Sequence, residues 1–210
     1  MRFKLLISLI FMLALILFPL SIKAAPVPWD STTYSVSAII GEHFIDAYDS
    51  DVDSGSAPPV SAFASYFGSP ALSEMTESTI HMACSVWIGA PRCQTIASFT
   101  GNFIANDSLF AFSSSGYMNN LMVENVTAST TLFDQFYSGS DTLFIPIQIG
   151  DEISVSFTRD TGEHIYHEGS FDFTDTYSMS VVPEPISSTL FIVGGATLGF
   201  RRFRKKLRKQ

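Results

Sequence analysis

Three aspartates at alternate positions, Asp49, Asp51 and Asp53, with Gly55 just beyond, are the residues of this chain best suited by type to hold a cation. Hard carboxylate oxygens so spaced resemble the first half of a calcium-binding loop, and Asp46 offers a further oxygen upstream. The match then stops. The glycine falls one place late, and the twelfth position is Val60 rather than Glu. The competing reading is a solvated acidic loop, because Asp49 to Pro59 is the most loop-like stretch of the middle of the chain. Calcium is therefore the one cofactor the pattern admits, and otherwise none is expected.

Cys84 and Cys93 are the only cysteines. They flank Gly89-Ala90-Pro91, so a hairpin would bring them to bonding distance, and their spacing is not that of a redox pair. A disulfide is expected if the chain is exported. A loop of that size contributes roughly 2–3 kcal/mol in the chain-entropy model. His164 and His167 lie beside Glu163 and Glu168, but residues three apart on a strand face opposite ways and would not share a metal. His43 and His81 stand alone.

Serine is abundant, yet no Gly-x-Ser-x-Gly turn presents one as a nucleophile. No catalytic residue is assigned, and the chain reads as a non-enzyme, with a secreted hydrolase kept as an alternative. Trp29 and Trp87 would stack on sugar rings if exposed, which makes a polysaccharide-binding module the other alternative. Tryptophan is more often core. Asn106-Asp107-Ser108 and Asn125-Val126-Thr127 match a glycosylation triplet by accident of composition.

The elements that would position these residues are strands. Short blocks of period-two alternation recur with Gly, Asn, Asp and Ser between them: Tyr34 to Ile40, Val60 to Tyr66, Thr79 to Ile88, Gln94 to Ile104, Leu109 to Phe112, Leu121 to Val126, Thr131 to Tyr137 and Ile153 to Phe157. Phe171 and Phe173 start a last block that breaks and resumes at Tyr177. Leu143 to Ile149 is nearly all apolar and reads as a central strand, although Pro146 argues for an edge. Ala71 to Glu77 is the one candidate for a short helical turn. Nine or ten strands without crossover helices imply an all-β fold, an antiparallel β-sandwich of jelly-roll type.

The two ends differ in kind. Met1-Arg2-Phe3-Lys4, an apolar run from Leu5 to Leu20 and a small-residue exit at Ala24-Ala25 have the layout of a secretory signal peptide over residues 1–24. At the other end Pro183-Glu184-Pro185 precedes Ile186 to Phe200, fifteen residues without a charge. A basic cluster closes the chain: Arg201, Arg202, Arg204, Lys205, Lys206, Arg208 and Lys209. As a helix the apolar run would reach roughly 22 Å, short of the roughly 30 Å hydrocarbon core, which suits a transient span better than a lasting anchor. The cations would stay on the cytoplasmic side and leave the middle of the chain outside. The prolines keep the tripeptide extended and open to a protease.

This order of tripeptide, apolar run and basic tail resembles the PEP-CTERM sorting signal of exported bacterial proteins over residues 183–210. The resemblance implies processing near Pro183-Glu184-Pro185 by an exosortase, after signal peptidase has acted at the other end. It implies a transient stay in the inner membrane and delivery to the cell surface, extracellular matrix or biofilm. Between the signals lies one domain, residues 25–182. It holds nineteen of the twenty acids but only Arg92 and Arg159 among the bases, a net charge near −17. Such a domain repels phosphate backbones, so nucleic acid is not an expected partner, whereas extracellular polysaccharide is a possible one.

Overall fold

The computed structural model describes residues 24–42, 47–86, 92–138, 141–162, 164–165 and 169–183. The compact strand-bearing unit runs from Ala25 to Glu184. In chain order its strands are β1 (Ala25–Pro26), β2 (Ser31–Glu42), β3 (Ala47–Gly55), β4 (Val60–Tyr66), β5 (Ser69–Met75), β6 (Thr79–Val86), β7 (Arg92–Ile104) and β8 (Leu109–Ser114). They continue as β9 (Tyr117–Asn125), β10 (Thr130–Ser138), β11 (Leu143–Pro146), β12 (Glu152–Asp160), β13 (His164–Ile165) and β14 (Gly169–Val182). Every regular element among the described residues is a strand, so the described fold is all-β.

The strands form two antiparallel sheets. The first is ordered β11-β8-β14-β6-β5-β4, with β1 also paired to β14. The second is ordered β10-β9-β12-β7-β2-β3, with β13 also paired to β7. Period-two alternation gives each strand one apolar face. Strand β2 buries Tyr34, Val36, Ala38 and Ile40, and β12 buries Ile153, Val155 and Phe157. The inward faces of both sheets meet in one hydrophobic cluster. Phe157 of the second sheet lies at its centre. It stacks on Phe99 with ring centroids 5.3 Å apart and touches Phe112 and Tyr177 of the first sheet at 5.6 and 5.0 Å.

Four expectations change. Asp49 to Gly55 is not loop but the outer part of β3, paired with β2 from Tyr34↔Gly55 to Glu42↔Ala47. Only the Ser56–Pro59 connection remains outside the strands. Ala71 to Glu77 is not helical: Ala71 to Met75 belongs to β5, whose hairpin with β4 turns through Phe67 and Gly68, both at positive φ. That is the backbone a two-residue hairpin turn needs, and it leaves Phe67 exposed. The apolar Leu143–Ile149 run supplies only the four-residue β11, at the margin of its sheet beside β8. The missing N–H of Pro146 thus prevails over hydropathy. The break expected before Tyr177 is a change of partner: β14 runs on unbroken, pairing with β6 up to Thr176 and with β8 from Tyr177.

Strand β7 is continuous through Gly101 and Asn102. Glycine is there for space. A Cβ on Gly101 would stand 2.8 Å from Cε3 of Trp29 and 2.7 Å from Cζ of Phe99, two rigid rings. Trp29 packs edge-on against Phe99 and Phe103, which places it against the core rather than free for a sugar. Gly101→Ala is therefore expected to lower stability by about 1–3 kcal/mol through overpacking, read as a lower denaturation midpoint with unchanged m-value.

Candidate functional site

The acidic triplet is where sequence and structure bear on each other most directly. On β3, Asp49, Asp51 and Asp53 stand opposite Ile40, Ala38 and Val36 of β2, so all three carboxylates lie on the face that β2 turns to the core. Strand β3 is the margin of the second sheet and β4 the margin of the first. Across this seam Oδ2 of Asp49 accepts the N–H of Ser65 at 2.8 Å, Oδ2 of Asp51 that of Phe63 at 2.9 Å, and Oδ2 of Asp53 that of Ser61 at 3.0 Å. The other oxygens turn back to β3: Asp49 Oδ1 accepts from Ser50 N–H and Asp51 Oδ1 from Val52 N–H. The carboxylates therefore occupy the backbone donors of two open strands at once. Among the described residues no three His, Cys, Asp or Glu side chains gather as a metal site. Asp46 lies outside the described residues.

Cys84 and Cys93 are joined by a disulfide, with Cα atoms 6.7 Å apart. They do not sit across a hairpin. Cys84 is on β6 of the first sheet and Cys93 on β7 of the second, both buried, so the bond crosses the core and staples one sheet to the other. Gly89-Ala90-Pro91 and Trp87 lie outside the described residues. A second internal tie runs from the Ser73 hydroxyl of β5 to the Ile96 carbonyl of β7, 2.9 Å away.

Arg159 and His81, to which the sequence assigns no role, take defined places in the structure. Arg159 occupies the fourth inward place of β12, after Ile153, Val155 and Phe157. Its Nε donates to Oδ2 of Asp175 on β14 at 2.9 Å, with the side chains 6% and 13% exposed. The guanidinium lies 3.6 Å from the centre of the Tyr117 ring and 4.7 Å from that of Phe173. This caps one end of the core with a cation held between two π faces and tied to the opposite sheet. An arginine closing an apolar inward series was the available signal, since a charge in that place needs a buried partner.

On the outer face of the first sheet His81 bridges two acids. One ring nitrogen is 2.9 Å from Asp172 Oδ1 and the other 3.3 Å from Glu74 Oε2, whose Oε1 accepts from the Ser61 hydroxyl. The hydrogen bond to Asp172 first, and then that to Glu74, raises the pKa of His81 against the opposing effect of partial burial. Both nitrogens are engaged by carboxylates, so His81 does not face a serine as a base would. His164 lies on β13 opposite Cys93. His43, Glu163, His167 and Glu168 lie outside the described residues.

Asn125 is buried, donating to Asp151 and accepting from the N–H of Ala128, which employs its amide in a turn. The remaining sorting-signal residues, Glu184, Pro185, Arg201, Arg202, Arg204, Lys205 and Lys206, lie outside the described residues. Pro183 follows directly on β14.

Two outcomes follow. Asp51→Ala removes the acceptor for Phe63 and Val52 and is expected to lower stability by about 1–3 kcal/mol, whereas Asp51→Asn, which keeps one acceptor, costs less. Chemical denaturation measures the difference, and light scattering should show the alanine variant self-associating through the uncovered edges. For His81 the folded pKa is the raised one. Its contribution is therefore full below the ordinary histidine range and fades as pH rises through the folded pKa. The effect stays under about 1 kcal/mol because the site is partly solvated. His81→Gln should flatten that part of the Tm–pH curve. No family model, curated protein or solved structure matches this chain.

Proposed function

We propose that this chain is an exported bacterial surface or extracellular-matrix protein without catalytic activity of its own. It is carried out by the signal at residues 1–24 and processed at Pro183-Glu184-Pro185 by an exosortase. The observation that carries the reading is the order, at the C-terminus, of that tripeptide, an uncharged apolar run and seven cations. The layout of the strand-bearing unit is in keeping with it. Ala25 and Pro26 pair with Val181 and Ser180, so the first residues after the signal and the last before the tripeptide emerge side by side. The disulfide between Cys84 and Cys93 suits an oxidising compartment.

In this reading the two sheets are those of a β-sandwich of jelly-roll type. In support, from β6 onward the chain passes repeatedly from one sheet to the other: β6, β8, β11 and β14 belong to the first, β7, β9, β10 and β12 to the second. A second reading, a polysaccharide-binding module, is favoured by one feature, a cleft lined by hydroxyl groups on the first sheet.

Replacing Pro183, Glu184 and Pro185 together by alanine tests the sorting claim in the bacterium that encodes the chain. The expected result is that the shortened mature form, seen by mass spectrometry of the wild type, disappears and the variant stays with the membrane fraction. An unchanged mature mass would overturn the assignment.

A further inference from the structure

Strand β14 leaves β6 at Thr176 and takes up β8 at Tyr177, and the fork opens a cleft of about 370 Å³. Its walls are Ser78, Ser113, Ser114, Ser115, Thr176 and Ser178, with the buried Tyr177 among them. The phenol of Tyr177 is committed to the Thr76 carbonyl, and burial raises its pKa, so the ring stays neutral. The backbone fixes the walls: Ser115 N–H donates to Thr176 O and Tyr177 N–H to Ser78 O, each at 2.8 Å. The side chains are partly pre-set as well. Ser114 Oγ accepts from Gly116 N–H, Ser115 Oγ accepts from Thr176 N–H, and the Ser113 and Ser178 hydroxyls are 2.8 Å apart.

A hydroxyl carries one donor and two acceptor positions. Ser114 and Ser115 use an acceptor position in these bonds and keep their O–H donors. The Ser113–Ser178 pair, whichever donates, keeps one donor and several acceptors. The cleft thus offers donors and acceptors in close alternation and no charged side chain. Such walls give an ion no counter-charge, and much of the lining exposed between the hydroxyls is carbon, against which the C–H face of a sugar ring can rest. They match a ligand whose own groups are closely set hydroxyls. The volume falls at the lower end of the roughly 300–1,000 Å³ usual for ligand clefts, enough for a single sugar-sized unit.

We propose that this fork binds a neutral polyhydroxyl ligand, one uncharged sugar residue of a glycan, through the Ser113, Ser115, Thr176 and Ser178 hydroxyls. The inference rests on the polysaccharide-binding reading and gives it a place and a ligand class.

The test uses the full chain, isotope-labelled and held in a detergent without a sugar headgroup. It is titrated with maltose and with cellobiose up to about 100 mM and followed by amide NMR shifts. Saturable shifts confined to residues 113–116 and 176–178 are expected, with sodium glucuronate binding about tenfold more weakly. Ser178→Phe, at an exposed position, fills the cleft without entering the core and should abolish those shifts while leaving the rest of the spectrum in place. Should that variant not fold, Ser113→Ala removes one hydroxyl only and should weaken binding severalfold. Saturable binding that maps elsewhere and survives Ser178→Phe overturns the cleft while leaving a glycan-binding module standing. No saturable shift with either sugar overturns both. Glucuronate binding as tightly as maltose overturns the neutral class.

Discussion

Two open sheets stand or fall by what happens at their margins, and here the margin between β3 and β4 is closed by side chains rather than by backbone. An exposed strand edge presents a row of unpaired N–H groups, a template for any passing strand. Asp49, Asp51 and Asp53 place a carboxylate against every second donor of β4, with Ser65, Phe63 and Ser61 met in antiparallel order. Oxygens of Asp49 and Asp51 also cover donors of β3 itself. Hydrogen bonds to ionised acceptors are about twice as strong as neutral ones, and mutual repulsion keeps such an edge from pairing with its own copies. The alternate spacing of the three aspartates also has a structural use on this edge. It is the period of the strand, which keeps all three carboxylates on one face.

The opposite margin is managed by irregularity. Strand β10 pairs with β9 through two register shifts, between Thr131 and Phe133 and between Gln135 and Tyr137. In the second, Asn119 and Asn120 together face Phe136. Bulges twist an edge away from regular pairing. Its neighbour across the seam, β11, is only four residues long and ends in Pro146. Between these margins the sheets are tied through the core by the Cys84–Cys93 bond, by the Ser73–Ile96 hydrogen bond and by Arg159 with Asp175. The ion pair adds less net stability than its geometry suggests, because both groups lose water on burial. What it does is penalise any slip between β12 and β14, since a shift of one residue would leave a charge unpaired in the core.

Much of this architecture can be read from the chain. Alternation marks β2, β4, β7, β12 and β14, because one buried face and one wet face leave a period-two trace. What escapes is what depends on a partner distant in sequence. Asp49-Ser50-Asp51-Val52-Asp53 is as polar as a loop, and it is the ladder with β2 together with the donors of β4 that explains why it is extended. Ser69 to Met75 alternates small residues, Ala71 and Ser73, that hydropathy scarcely registers, yet both are fully buried where the sheets approach. Cysteine spacing suggests a bond but not its direction: a hairpin staple and a bridge between sheets look the same in one dimension. The hydroxyl cleft is invisible in sequence because Ser78, Ser113 and Ser178 meet only at the fork of β14.

The place where β14 ends bears on the proposed removal of the tail. The register of β14 ends at Val182 opposite Leu109, and β1 secures the neighbouring residues from the other side through Ala25 and Pro26. Pro183 begins where the ladder stops, and a proline has no N–H with which to extend it. Under the proposed processing, a cut beyond Pro183 removes no backbone hydrogen bond of either sheet, and a cut before Ala25 likewise spares β1. Folding and trimming are then uncoupled, so the acidic domain can be complete before it is released. Had the tripeptide lain a few residues earlier, inside the β14–β8 ladder, a protease would have needed to peel the strand first, with Met179 and Val181 drawn out of the core. Under the proposed processing, a tripeptide that starts directly after the last hydrogen-bonded residue of β14 would let one sequence serve both as the end of a fold and as the start of a removable signal.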